Sequence, residues 1–402
     1  MKKDFIFTSA SVTEGHPDKL CDLISDAIVD RYLREDPYAY IEAECSISQS
    51  IVFIAAQFSS TAVVDMPQLA RDVITQTGYT APPFSGKNCT VLTCLKEFPL
   101  AQEFRYNENA LTDEQISCIP VRHPINAFGY ACTQTASLMP LPIWLAHKLA
   151  RRFTTARCTG VLPYFIPDGK IWVAVAYRAG KPWRIHSITF QISCDTNLPG
   201  GKPSPDDLRH GLLSQVVEPT FRGESIRPDN VTRTYIETDN PLVSSGPSGH
   251  SGLTGRKNAV DTYGEFARHS GSSLSGKSPQ RIDRIGAYAA RYVAKNIVAA
   301  GLADECEIQV SYSVGFAEPD SIQVETFETG QVDDSRILRL VKENFDLRPA
   351  SIVRQFQLRH LPKQTKGGFY KKLGAYGHLG RMDIFLPWER TDKVKSLRSL
   401  RE

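Results

Sequence analysis

The chain has 402 residues, with 47 lysines and arginines against 44 aspartates and glutamates, a formal net charge of +3, and 41% hydrophobic residues. This balance excludes the global basic field of a nucleic-acid-binding protein, and no apolar run approaches the ~18 residues of a membrane span. Nine scattered cysteines without a CxxC pair argue against a zinc site and for reduced thiols in a cytoplasmic protein.

The length exceeds a single core of ~100–200 residues and predicts several domains. The first residues, Met-Lys-Lys-Asp-Phe-Ile-Phe-Thr, lack the long apolar core of a signal peptide. Residues 17–33 read as a helix, with Pro17 at its first position and Leu20, Leu23, Ile24, Ala27 and Ile28 along one face. Residues 51–58 read as a buried strand, and Pro82, Pro83 and Gly86 mark a loop before residues 90–95. Residues 97–127 are polar and irregular, as functional or mobile segments are. A helix is predicted over 141–153, strands over 170–177 and 186–193, and a surface loop over 196–207. Residues 280–300 form the clearest helical pattern, stopped by Gly301, and 306–316 alternate as a half-buried strand. The pattern is α+β.

Chemistry concentrates in residues 248–257 (SGHSGLTGRK) and 275–284 (SGKSPQRIDR). Their glycines permit close backbone approach. Arg256, Lys257, Lys277 and Arg281 with Asp283 supply what a nucleoside triphosphate and its metal ion require. Residues 271–278 match GxxxxGK[ST] letter for letter, but a poor strand precedes them and Pro279 follows. A phosphate-contacting loop of another kind is therefore expected. His16, Asp18 and Lys19 stand at the start of the first helix, where free N–H groups attract anions, although Asp18 also suits simple capping. Asp168-Gly169-Lys170 reads as the opening of a strand or as a hairpin turn with a solvated lysine. Glu44 lies in an apolar strand, and His123 and His250 lie in Pro- or Gly-bearing loops.

The strings GHPDK (15–19), SGLTGRK (251–257), VDTYG (260–264), IDR (282–284), CEIQVSY (306–312), FDLRP (345–349) and AYGH (375–378) together resemble S-adenosylmethionine synthetase, also called methionine adenosyltransferase. The resemblance implies three similar α/β domains around a pseudo-threefold axis, over 1–101, 117–237 and 240–402, with elements interleaved. It also implies flat sheets that pack two subunits together, active sites built from both, and often a tetramer. The reaction it implies is attack of the methionine sulfur on C5′ of ATP, with release and hydrolysis of triphosphate, assisted by two Mg²⁺ and one K⁺.

By matched position, His16, Lys19, Asp168, Lys170, Arg256, Lys257, Lys277 and Arg281 line ATP and its triphosphate, with His16 near the C5′ oxygen. His16, Lys170, Arg256 and Lys277 act on the reacting charge. Asp18 and Asp283 hold Mg²⁺ and Glu44 holds K⁺. The nucleophile's half departs from the pattern. Two family aspartates are His123 and His250, a glutamate is Gln57, a glutamine is Glu97, an isoleucine is Val314, and the residue facing adenine is Leu242. Arg281 stands for a lysine. These losses fall where the family holds methionine's ammonium. Three readings follow: the methionine enzyme, the same displacement with an ammonium-free or anionic nucleophile, or a non-catalytic paralogue that binds ATP or triphosphate.

Overall fold

The computed structural model describes residues 4–100, 105–195, 203–238 and 245–399. In chain order its strands are β1 (Phe5–Val12), β2 (Tyr40–Ser48), β3 (Ile51–Ser59), β4 (Thr90–Glu97), β5 (Ile125–Cys132), β6 (Phe165–Arg178), β7 (Lys181–Cys194), β8 (Arg233–Glu237), β9 (Gly252–Leu253), β10 (Glu305–Tyr312) and β11 (Ser321–Glu325). They form three sheets, in orders β1-β6-β7-β8, β4-β3-β2-β9 and β11-β10-β5. The longest helices are α1 (Pro17–Glu35), α2 (Met66–Thr77), α3 (Leu141–Cys158) and α4 (Ile282–Ala299). The result is α+β. Each sheet draws strands from distant parts of the chain, so β1 at the N-terminus pairs with β6 and β5 pairs with β10.

The predicted helices at 17–33, 141–153 and 280–300 form, each a little longer or shorter than its apolar pattern. α4 buries Ile282, Ile285, Tyr288, Ala289, Tyr292 and Val293, and one side of the helix packs on β5 and β10. Its other flank reaches the C-terminal segment, where Tyr288 stacks on Trp388 at 3.8 Å between ring centroids and Arg291 and Lys295 both bind Glu389. One apolar core joins α1, α2 and α4 to β2, β3, β5 and β10; a second lies between α3 and the β6–β7 pair.

Three expectations change. The strand predicted over 306–316 ends at Tyr312, because its partner ends there: Ile125 pairs with Tyr312, and Pro124 before it has no N–H to offer. Val314 and Phe316 are exposed in the following turn, which is tied back by hydrogen bonds from Gly315 N to Val121 O and from Val121 N to Phe316 O. Asp168-Gly169-Lys170 is no hairpin turn and does not begin the strand, which starts at Phe165. It sits inside β6 beside a register irregularity between Phe165 and Gly169. The 97–127 segment is broken by a short 3-10 turn at Glu108–Ala110 and a short helix at Asp113–Ser117, capped by Thr112 and Gln115. Of the loop predicted at 196–207, residues 196–202 lie outside the described residues, and a helix begins at Pro205.

Candidate active site

α1 carries aspartates at 18, 22, 26 and 30, spaced by four and therefore on one face. All are buried, and each takes backbone N–H groups from a different loop. Asp18 accepts Leu253 N at 3.0 Å, Asp22 accepts Gly255 N at 2.8 Å and Asp26 accepts Gly276 N at 2.9 Å. Asp30 accepts the N–H groups of Phe369, Tyr370 and Lys371. Burial raises the Asp30 carboxyl to about 6 against these donors. This ladder fixes both glycine-rich loops to one helix. Asp22, Asp26 and Asp30 escaped the sequence reading, although four acids at helical spacing inside an apolar helix were the available signal.

The first cluster stands at the start of α1. The β9 backbone approaches so closely that a Cβ on Gly252 would lie 2.2 Å from the Pro17 carbonyl, so glycine is required. This approach brings Lys257 Nζ to 2.7 Å from Asp18 Oδ2 and Arg256 to 4.0 Å from Asp18 Oδ1. Burial pushes the Asp18 carboxyl up, but the Lys257 ammonium and the Leu253 amide outweigh it and hold the group below its usual range. His16 caps α1, its Nδ1 accepting the Asp18 N–H at 3.2 Å. Burial lowers the imidazole to about 4, so His16 is neutral at pH 7 and, with Nδ1 accepting, keeps its proton on Nε2. His250 Nε2 lies 3.0 Å from Asp168 Oδ2, which also accepts Gly246 N at 2.8 Å; Asp168 Oδ1 is buried without a partner. Burial raises the Asp168 carboxyl, and His250, His16 and Gly246 more than reverse it. Ligand atoms of His16, Asp168 and His250 lie within 4.8 Å of one another.

The second cluster is built on β2, β3 and the start of α4. Gly276, at φ +78°, takes the turn that pairs Ala43 N with Gly276 O and places Lys277 opposite Glu42. Lys277 Nζ is 3.3 Å from Asp283 Oδ1, and Arg281 Nε is 3.0 Å from Asp283 Oδ2. Burial raises the Asp283 carboxyl and the two cations overcome it, leaving it below its usual range; burial lowers the Lys277 ammonium. Arg281 also reaches Glu42 Oε1 at 2.9 Å and bonds His123 Nε2. Glu42 Oε2 accepts Gln57 Nε2 at 2.8 Å. Beside this cluster lies a cavity of about 440 Å³, with Arg281, His123 and Arg122 at its polar end and Leu111, Val121 and Ile282 among its apolar walls.

Sequence expectations divide against this geometry. His16, Asp18, Asp168, His250, Arg256 and Lys257 fall in the first cluster; Gln57, His123, Lys277, Arg281 and Asp283 fall in the second. Lys170 is half-buried within β6, opposite Val12 and Gln191. Glu44 is exposed on the outer face of β2, Glu97 is exposed at the end of β4, and Val314 is exposed. Leu242 lies outside the described residues. Lys19 is a correction: it is fully buried, its ammonium bound to Asp22 at 2.7 Å and to Asp261, so it braces the helix and has no free face for phosphate. The GxxxxGK[ST] string is not a phosphate loop, since its Gly276 amide is held by Asp26 and α4 starts only at Ile282. Glu42 was missed, because a glutamate in a half-exposed strand gives no sequence signal of its own.

Three sheets with helices, holding two clusters of cations around ionised carboxylates, define an α+β protein suited to a polyanion with metal ions. Family models of S-adenosylmethionine synthetase match its N-terminal domain to residues 4–99, its central domain to 122–241 and its C-terminal domain to 244–390. The chain is 46% identical over 411 residues to the S-adenosylmethionine synthase of Gloeothece citriformis, covering 99% of this chain and 97% of that protein. It is 46% identical over 413 residues to that of Synechococcus elongatus, covering 99% and 98%. The chain belongs to the S-adenosylmethionine synthetase family. It is an adenosyltransferase, which sets aside the reading of a non-catalytic paralogue.

Proposed function

We propose that this adenosyltransferase makes S-adenosylmethionine from ATP and methionine. The thioether sulfur attacks C5′, the C5′–O bond breaks, and the departing triphosphate is then hydrolysed to phosphate and diphosphate. The full-length relatives bear the name of that product. The observation that carries the reading is Asp18 held ionised against Lys257 and Arg256 at the start of α1, in a chain that matches the family end to end.

Lys170, Arg256, Lys257 and Lys277 stabilise the charge that develops on the triphosphate. His16 holds its Nε2 proton for the C5′ oxygen, which gains charge as the bond breaks. Asp168, with one buried oxygen unpartnered, offers an acceptor to the nucleoside. Asp18 and Asp283 fit Mg²⁺, being hard oxygen donors kept ionised beside cations, and Glu44 is open to K⁺ on the outer face of β2. Bound there, the cations would neutralise the triphosphate.

The active site is completed by a second copy of the chain. Asp18 and Asp26 anchor the two clusters eight residues apart on α1, about 12 Å of helix rise, and no ion pair among the described residues joins the clusters. The outer face of the β4-β3-β2-β9 sheet aligns Leu253, Ser46, Phe53 and Leu92 in one row, with Ile51 alongside; the leucines, Phe53 and Ile51 are exposed. Such an exposed apolar row suits a partner copy. No helix among the described residues is long and apolar enough to cross a membrane. Nine free cysteines fit the cytoplasm.

A second reading keeps C5′ displacement but takes an ammonium-free acid. The observation for it is the cavity wall, where Arg122, His123 and Arg281 are lining groups and no aspartate or glutamate is. The deciding experiment incubates the protein with ATP, Mg²⁺, K⁺ and methionine and follows S-adenosylmethionine by mass spectrometry together with phosphate release. Methionine-dependent product establishes the first reading. Triphosphate hydrolysis without product moves the assignment to the second.

A further inference from the structure

Resting on the methionine reading above, we infer that Glu42 is the group that receives the substrate's ammonium, with Arg281 taking its carboxylate. Arg281 lines the 440 Å³ cavity, and Glu42, its partner of opposite charge at 2.9 Å, stands behind it outside the cavity lining. An amino acid presents the same two charges on one carbon, so a zwitterion can replace each member of the pair as partner of the other. The apolar walls behind, including Leu111, Val121 and Ile282, leave room for an uncharged side chain.

The local geometry prepares Glu42 for this. Glu42 and Gln57 are directly opposed in the β2–β3 ladder and point to one face. Gln57 Nε2 binds Oε2 and fixes the carboxylate's orientation. Oε1 is buried and, although Arg281 is near, no hydrogen bond of good angle reaches it. The ion pair of that oxygen with Arg281 is the contact that an incoming ammonium replaces. The Glu42 side chain is only 14% exposed, so water competes weakly for it. Other charges at hand are engaged elsewhere: Asp283 holds Lys277 and shares Arg281, and His123 stands against Arg281.

The test compares methionine with 4-(methylthio)butanoate, the same thioether acid without its amine, on the full chain. Binding of each labelled acid is measured by equilibrium dialysis with Mg²⁺ and a non-hydrolysable triphosphate, and product formation is measured with ATP. Glu42→Gln should weaken methionine about a hundredfold, the scale of losing a buried charge partner, and leave the desamino acid within a fewfold. The exchange Glu42→Gln/Gln57→Glu, which keeps one carboxylate and one carboxamide across the ladder, should restore methionine to within about tenfold. Equal weakening of both acids, unchanged methionine binding, or a wild-type preference for the desamino acid overturns the role of Glu42. Glu42-dependent methionine binding without S-adenosylmethionine production upholds Glu42 and removes the proposed reaction. Absence of methionine binding removes both.

Discussion

Glu42 and Gln57 face each other across β2 and β3, and the Gln57 carboxamide donates to the Glu42 carboxylate at 2.8 Å. The strand pair therefore keeps one acid and one amide, with the acid at 42. A carboxylate stays within one strand spacing of position 57, beside Arg281. The apparent loss of acidic groups from this half of the site is thus smaller than the linear sequence implies.

Lys19 and Lys257 should separate structure from chemistry. Lys19→Met leaves Asp22 and Asp261 buried without their cation, and should cost about 3–5 kcal/mol in urea unfolding. Lys257 is partly exposed, and Lys257→Ala should leave unfolding within about 1 kcal/mol while turnover falls at least a hundredfold. Equal stability of the two variants would mean that Lys19 does not brace α1.

Asp26 receives both Gly276 N and the guanidinium of Arg284, whose NH2 lies 2.8 Å from Oδ1 and 3.0 Å from Oδ2. Arg284 also donates to the Lys277 carbonyl. Asp26→Ala strands a fully buried cation and frees the Lys277 turn. It should destabilise by about 3–5 kcal/mol and reduce turnover more than Asp30→Asn does. Steady-state kinetics at a temperature where both variants remain folded checks this.

His16 should make stability fall with acid. Its folded pKa, near 4 because of burial, lies below the ordinary 6.5. Above pH 6.5 both states are neutral. Between pH 6.5 and 4 the unfolded chain binds the proton and the folded one does not, so stability is lost across that window, by about 3 kcal/mol. His16→Asn should flatten the decline in unfolding free energy over pH 6.5–4; an unchanged slope would show that His16 protonates freely.

Phe53→Asp puts a charge in the centre of the exposed Leu253–Phe53–Leu92 row. Sedimentation should show the proposed assembly dissociating, with turnover lost alongside and the monomer's circular dichroism unchanged. An active monomer would mean that one chain carries a complete site.

Some of this was legible from the sequence. Apolar spacing located α1, α3 and α4, because a helix face must match a core whatever packs on it. The glycine-rich strings around Lys257 and Lys277 marked where the two charged clusters form, because close backbone approach needs glycine. Tertiary structure decided what those residues face. Lys19 and Lys257 are both lysines of glycine-bearing motifs, yet one is sealed between Asp22 and Asp261 and the other is partly exposed on Asp18. Val314 fits an alternating pattern but leaves the sheet where Ile125 ends the ladder. Glu42 gains its place only through strand register and the turn at Gly276. Such partners lie tens to hundreds of residues apart, and the energy of a buried charge depends on which of them arrives within about 3 Å.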